Sequence, residues 1–387
     1  MATFLAPHGD TVTEAFLDNA STTKVCDAAV NAAVAAMTSA YGNPSSSHRL
    51  GRESKRILDE SRKAIADTLR ASPSEIFFTS GGTESDNWAI LCGAESRKRQ
   101  GSHVISSLVE HDAVLESLKI LETRGFEVTR LAPSELTVSG VLNALREDTI
   151  LVSLMMVNNE IGAVTDIGAI SEAMKKAGST ALLHTDAVQA YLKLPIDTRR
   201  LGADLISLSA HKIHGPKGAG ALYIKQDTKL PPLISGGGQE SGKRSGTEAL
   251  PSIAAFAAAA SEGFASMTES VIEMRGNLEH AIGRLSTENP SLIVNGADSP
   301  NILSVSLPGY KSEVLMSYLD SRGVYVSKGS ACKRGARSHV LEAMKLPANV
   351  IDGTLRVSLS RFTTRAEIDY FCDVLRSARE NLLTSTR

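Results

Sequence analysis

The chain has 387 residues, of which 42% are hydrophobic and 22% charged, and its formal net charge is -2 at neutral pH. That length suits about two domains with sizeable cores, and with a near-neutral charge nothing steers the chain electrostatically to nucleic acid or anionic membrane. No apolar run approaches the ~20 residues of a membrane-spanning helix, and "MATFLAPHGDTVTEAF" lacks the basic and apolar segments of a secretory signal, so a cytoplasmic location is expected.

Helical periodicity predicts helices over 24–40 and 47–70. Short apolar runs follow, "EIFFTS" (75–80), "HVISS" (103–107), "TILVSLMMV" (149–157), "ALLHTD" (181–186) and "DLISLS" (204–209), separated by helical stretches such as 82–99, 111–124 and 167–177. Most of these runs are continuous rather than alternating, as expected of strands buried on both faces of a mainly parallel sheet. The class is therefore α/β with helices on both faces. A long helix-compatible stretch over roughly 251–287 leads to "NILSVSL", "GVYV" and "TLRVSLS" and to helical stretches ending in 364–384, read as a smaller α+β domain. The expected division is 17–260 for the large domain, and 1–16 with 261–387 for the small one.

In open α/β sheets, ligands bind beyond the carboxyl ends of the strands. Five runs end there in chemically capable residues: "TSGGTESDN", "LVEHDAV", "NNEIG", Asp186 with Gln189, and His211 with Lys212. The glycines of "SGGTES" (80–85) at a strand-to-helix junction are either a simple helix cap or an anion cradle. Asp186 either caps the next helix or pairs with a protonated ring nitrogen. His111 is either a satisfied core histidine or a ring-stacking or acid–base group. Lys212 lies between His211 and His214, behind a buried strand and before glycines 215, 218 and 220. Burial and cationic neighbours favour the deprotonated amine, the nucleophilic form. "GGQESGKR" (237–244) imitates a phosphate-binding P-loop but has Arg244 where a magnesium-binding hydroxyl is needed, so a nucleotide site is rejected.

Four cysteines, Cys26, Cys92, Cys332 and Cys372, stand far apart with no C-x-x-C pair, which argues against a zinc ribbon and a disulfide framework. Around Cys332, "SKGSACKRGARSH" places Lys328, Lys333, Arg334 and Arg337, cations that favour a thiolate.

Nearly the whole chain resembles the cysteine desulfurases, fold type I pyridoxal phosphate enzymes of the class V aminotransferase group. The resemblance rests on "LDNASTT" (17–23), "YGNPSSSHRLG" (41–51), "TSGGTESDN" (79–87), "EHDAV" (110–114), "VNNEIG" (157–162), "HTDAVQ" (184–189), "SAHKIHGPKGAGALY" (209–223), "GGGQESGKRSGT" (236–247), "GSAC" (329–332) and "LRVSLSRFTT" (355–364), in that order. It implies a large cofactor-binding domain with a mainly parallel seven-stranded sheet, and a small domain carrying the Cys332 loop. It further implies that Lys212 holds pyridoxal 5'-phosphate as a Schiff base, Asp186 pairs with the pyridine nitrogen, Gln189 meets the ring hydroxyl and His111 stacks on the ring. Gly82, Thr83, Ser209 and His211 would hold the phosphate, with Thr247 reaching it across a homodimer interface. Asn159, which would also meet the cofactor, and Arg356 would bind the substrate, L-cysteine, and Cys332 would accept its sulfur and pass it to an acceptor protein. The segment after Cys332 is a couple of residues shorter and more basic than in many relatives. A selenocysteine lyase or another class V enzyme is the alternative within the fold, and a non-catalytic scaffold the alternative outside it. Iron–sulfur assembly, tRNA thiolation and DNA modification are all compatible destinations for the sulfur.

Overall fold

The computed structural model describes residues 13–329 and 337–384. In chain order its strands are β1 (Ala15–Phe16), β2 (Ile76–Thr79), β3 (His103–Ser107), β4 (Glu127–Leu131), β5 (Thr149–Ser153), β6 (Leu182–Asp186), β7 (Leu205–Ser209), β8 (Gly220–Ile224), β9 (Ile293–Gly296), β10 (Ile302–Ser306), β11 (Val324–Tyr325) and β12 (Thr354–Ser358). The chain forms two compact units: Thr23–Val157 with Thr165–Ser266, and Met1–Thr22 with Asn158–Val164 and Met267–Arg387.

The larger unit is built on a seven-stranded sheet in the order β2-β8-β7-β6-β5-β3-β4. Only β8 runs against its neighbours, β2 and β7; the other pairings are parallel. Strands β2, β3, β5, β6, β7 and β8 are buried along their whole length, which explains their continuous apolar character. Trp88 is fully buried in this core, meets Phe77 edge-on at 6.1 Å, and donates its indole N–H to the Pro231 carbonyl at 2.7 Å. Helices Asp27–Thr38, Arg49–Leu69, Asp112–Thr123, Ile167–Lys176 and Leu250–Ala265 complete the unit. The smaller unit holds the antiparallel sheet β12-β10-β9 and the parallel pair β1-β11. Helices Met267–Glu288, Ser312–Asp320 and Arg365–Asn381 supply the rest of its core, which centres on Leu278, Val305, Leu355 and Phe371.

The mainly parallel α/β architecture matches the sequence expectation, while several details differ. The run 149–157 pairs regularly only over β5; beyond it, Leu154 and Met156 N–H donate to the His184 and Asp186 carbonyls without a continuing ladder. Strand β4 escaped notice because its residues are largely half-exposed, so no apolar run marks it. The 251–287 stretch is two helices, Leu250–Ala265 and Met267–Glu288, separated at Ser266.

Candidate active site

The carboxyl ends of β2, β3, β6 and β7 carry most of the residues singled out above. After β2 the chain turns through Gly81, whose φ of 154° and ψ of -178° only glycine adopts readily. Gly82 and Thr83 then begin the helix Gly82–Asn87, which continues through a π-helical turn, Trp88–Cys92, into Gly93–Arg97. A side chain at Gly82 would come within 2.7 Å of the Val188 methyl, and one at Gly220 within 2.6 Å of the Gly81 backbone. The glycines thus let β8 and the turn after β6 close upon the start of this helix, where backbone N–H groups are unpaired by the helix itself. Ser209, the last residue of β7, is 1% exposed, and its Oγ has no hydrogen-bond partner among the described residues. A hydroxyl buried without a partner beside a helix N-terminus is the kind of donor an oxyanion satisfies.

Asp186 closes β6, is 6% exposed, and its Oδ1 accepts the Val188 N–H at 2.8 Å. Burial pushes its pKa up, while His111, the Val188 N–H and Lys212 pull it back. His111 is the N-cap of helix Asp112–Thr123, and its Nδ1 accepts the Ala113 N–H at 3.1 Å. The neutral ring therefore carries its proton on Nε2. Gln189 is buried in the turn after Asp186.

Lys212 ends the 3-10 turn Ala210–Lys212 that follows β7, and is half-buried. Burial, then the Lys212 charge, pushes His211 down to about 4, so this imidazole is neutral at pH 7. The Thr23 hydroxyl donates to the His211 carbonyl at 2.9 Å and accepts the His214 N–H at 2.8 Å, pinning both flanks of Lys212. Thr247 is exposed, at the end of a loop held by two ion pairs. Arg244 forks onto Glu84 at 2.8 and 3.0 Å, and Arg62 forks onto the buried Glu240 at 2.6 Å through each nitrogen. Arg244, the residue that spoiled the P-loop pattern, is thus committed to a structural pair.

In the smaller unit Arg356 is 2% exposed on β12. Its Nη1 donates to the Asn159 carbonyl at 2.8 Å, and its Nη2 to Asp18 at 2.8 Å and Ser21 at 2.6 Å. Its Nε is buried without a partner among the described residues. The expected two-pronged grip on a carboxylate thus begins from a guanidinium already tied to Asp18. Cys332 lies outside the described residues.

A family model described as "Aminotransferase class-V" matches residues 15–371. The chain belongs to the aminotransferase class-V family. A cysteine desulfurase IscS of Methanosarcina thermophila is 41% identical over 376 residues, 93% of this chain and 90% of that protein. A solved structure described as a NifS-like protein superposes with a TM-score of 0.90 at 35% identity, covering 95% of this chain and all of the other. A second, "SspA in complex with cysteine", gives a TM-score of 0.79 at 33% identity over 90% of this chain and all of the other.

Class-V enzymes use pyridoxal phosphate, and the residues present fit it. The orphaned Ser209 hydroxyl and the glycine-lined helix start suit a phosphate, the buried Asp186 carboxyl suits a protonated pyridine nitrogen, and the half-buried Lys212 amine suits an aldehyde. Sequence reasoning missed what lies behind this class-V site. Asp86 is 1% exposed and His184 fully buried. The His184 ring meets the Ser153 hydroxyl at 2.8 Å and the Ser207 hydroxyl at 3.0 Å, and its Nε2 is 3.6 Å from Asp86 Oδ1. Burial pushes His184 down to about 3 and, with the Asp186 charge adding, pushes Asp86 well up. Glu110, buried beside His111, is pushed up to about 8 by burial. Burial raises all three of these carboxyls, and Asp186 is the one on which His111 and Lys212 act in the opposite direction. One signal was readable: His184 and Asp186 are two apart on a strand and so share a face.

Proposed function

We propose that this chain is a cysteine desulfurase that takes sulfur from L-cysteine, leaves L-alanine, and passes the sulfur through a persulfide on Cys332 to an acceptor protein. The observation carrying this reading is that Lys212, Asp186, His111 and the unpartnered Ser209 hydroxyl all follow the carboxyl ends of strands in one sheet. The desulfurase name of a 41% identical relative supports it.

Pyridoxal phosphate, when bound, supplies an aldehyde for amine condensation and an electron sink. The residues around it do the rest. Gly82, Thr83, Ser209 and His211 hold its phosphate, Asp186 keeps the ring nitrogen protonated, Gln189 contacts the ring hydroxyl, and His111 covers the ring face. Arg356 and Asn159 hold the substrate carboxylate. Lys212 Nζ takes the substrate's α-proton once its own proton is gone. The Cys332 thiolate forms a new S–S bond to the substrate sulfur as the C–S bond breaks; the electron pair stays on the carbon skeleton, which gains a proton and leaves as alanine.

The protein acts as a homodimer in this reading, with Thr247 serving the partner's phosphate. Helix Asp27–Thr38 supports it, because Val30, Val34 and Met37 expose 45%, 49% and 56% of their surface at helical spacing, continued by Tyr41 at 69%. The persulfide chemistry fits a reducing cytoplasm, and iron–sulfur assembly and tRNA thiolation are the acceptor pathways proposed. The test is to supply L-cysteine to the loaded protein and measure alanine and sulfide with and without a thiol. With the thiol as reductant the native chain should make both in equal amounts, without it the sulfur should stay on Cys332, and Cys332→Ser should keep the cofactor but lose sulfur transfer. Undiminished sulfide from that variant overturns the role of Cys332.

A further inference from the structure

Lys193 has no place in the scheme above, yet it is 8% exposed. A buried ammonium is costly unless a carboxylate neutralises it. Among the described residues Lys193 forms no ion pair; its Nζ donates instead to the Lys212 carbonyl oxygen at 2.9 Å. Burial, then the Lys212 charge, pushes Lys193 down to about 7.

The turn that delivers it is tightly built. It leaves Asp186 through N–H donations from Ala190 and Tyr191 to the Ala187 carbonyl, and from Lys193 and Leu194 to the Ala190 carbonyl. Tyr191 is buried and meets the Thr68 hydroxyl at 2.7 Å. Leu192 is left-handed at φ 58°, uncommon for a leucine, and this conformation turns the chain just before Lys193. The backbone at the nucleophilic lysine is thus held twice: the His211 carbonyl by Thr23, and the Lys212 carbonyl by Lys193. Other charged groups acting on this place are His211 within the same turn, Lys217 beyond it, His111 from the helix after β3, and Asp186 from β6.

We propose that Lys193 is a positioning residue for Lys212: it grips the Lys212 carbonyl and, in its protonated form, adds a positive charge near the Lys212 amine, so that the amine loses its proton more readily. The proposal rests on the reading of Lys212 as the reactive amine. A like charge nearby shifts an amine in this direction by about one pH unit or more.

Three variants test it: Lys193→Met removes grip and charge, Lys193→Gln keeps a donor without the charge, and Lys193→Arg keeps both. In the cofactor-free protein, an amine-reactive probe followed by peptide mass spectrometry gives the Lys212 labelling rate against pH. We expect Lys193→Met and Lys193→Gln to lower that rate about tenfold at neutral pH, and Lys193→Arg to stay near the native rate. In the loaded protein, the pH midpoint of the visible band should rise by about one unit in the first two variants and hold in the third. Folded Met and Gln variants with native labelling rate and native midpoint overturn the proposal. A native protein that shows no visible band with added pyridoxal phosphate sinks the functional reading instead, and the labelling series then decides Lys193 alone.

Discussion

Replacing Asp86 by asparagine tests how the buried acids are arranged behind Asp186. The Asp86 carboxyl hydrogen-bonds the Ser207 side chain, and asparagine preserves its size and shape and can keep that bond. Two arrangements predict different outcomes. In the first, Asp86 is a neutral acid beside a neutral His184. In the second, a carboxylate pairs with an imidazolium. The structure supports the first: the 3.6 Å separation is too long for a hydrogen bond, and both His184 nitrogens already meet neutral hydroxyls, at 2.8 and 3.0 Å. Burial also holds His184 down at about 3. Asp86→Asn should then change stability by no more than about 1 kcal/mol, the size of one net hydrogen bond. Removing one partner of a buried ion pair would instead cost roughly 3–5 kcal/mol. Trp88, the single tryptophan, is fully buried in the same unit, so its fluorescence during urea unfolding at pH 7 follows that unit. A loss of about 3 kcal/mol or more would refute the neutral arrangement.

Glu110 gives a pH prediction with a definite sign. Its carboxyl is raised from 4.5 to about 8, so the fold favours its protonated form. The stability this contributes is complete below about pH 4.5 and is lost as pH rises through about 8. The native curve minus that of Glu110→Gln should fall across this window, by at most about 1.4 kcal/mol per pH unit. Subtraction removes the opposing effects of His184 and Lys193, whose depressed values add stability as pH rises; a flat difference curve would contradict the assignment. Arg356→Lys should raise KM for L-cysteine roughly ten- to hundred-fold, the range for losing a charged, two-pronged hydrogen bond. An unchanged KM in the folded variant removes Arg356 from substrate binding.

Much of this was legible because strand burial and strand-end chemistry leave separate marks. "DLISLSAHK" shows both at once: an apolar run that buries β7, then polar groups at its end. "HTDAVQ" does the same for β6 and the turn after it. What was not legible depends on contacts distant in sequence. Asp86 looks like ordinary helix polarity until β6 and β7 bring His184 and Ser207 against it. Lys193 looks like a surface charge in "YLKLP", because nothing local reveals that a left-handed Leu192 aims it at a carbonyl 19 residues on. Strand β8 was hidden in a glycine-rich stretch, where Gly220 serves close backbone approach rather than a loop. Arg356 was found by resemblance, but its tie to Asp18 was not, since the two are 338 residues apart.

The central claim is that Lys212 is the amine that carries the cofactor. The direct measurement is to load the protein with pyridoxal phosphate, reduce it with borohydride, digest it and weigh the peptides. The pyridoxyl mass should fall on the peptide containing Lys212, and Lys212→Ala should lose it. Finding that mass on Lys193 or another lysine, or on no peptide, would contradict the account.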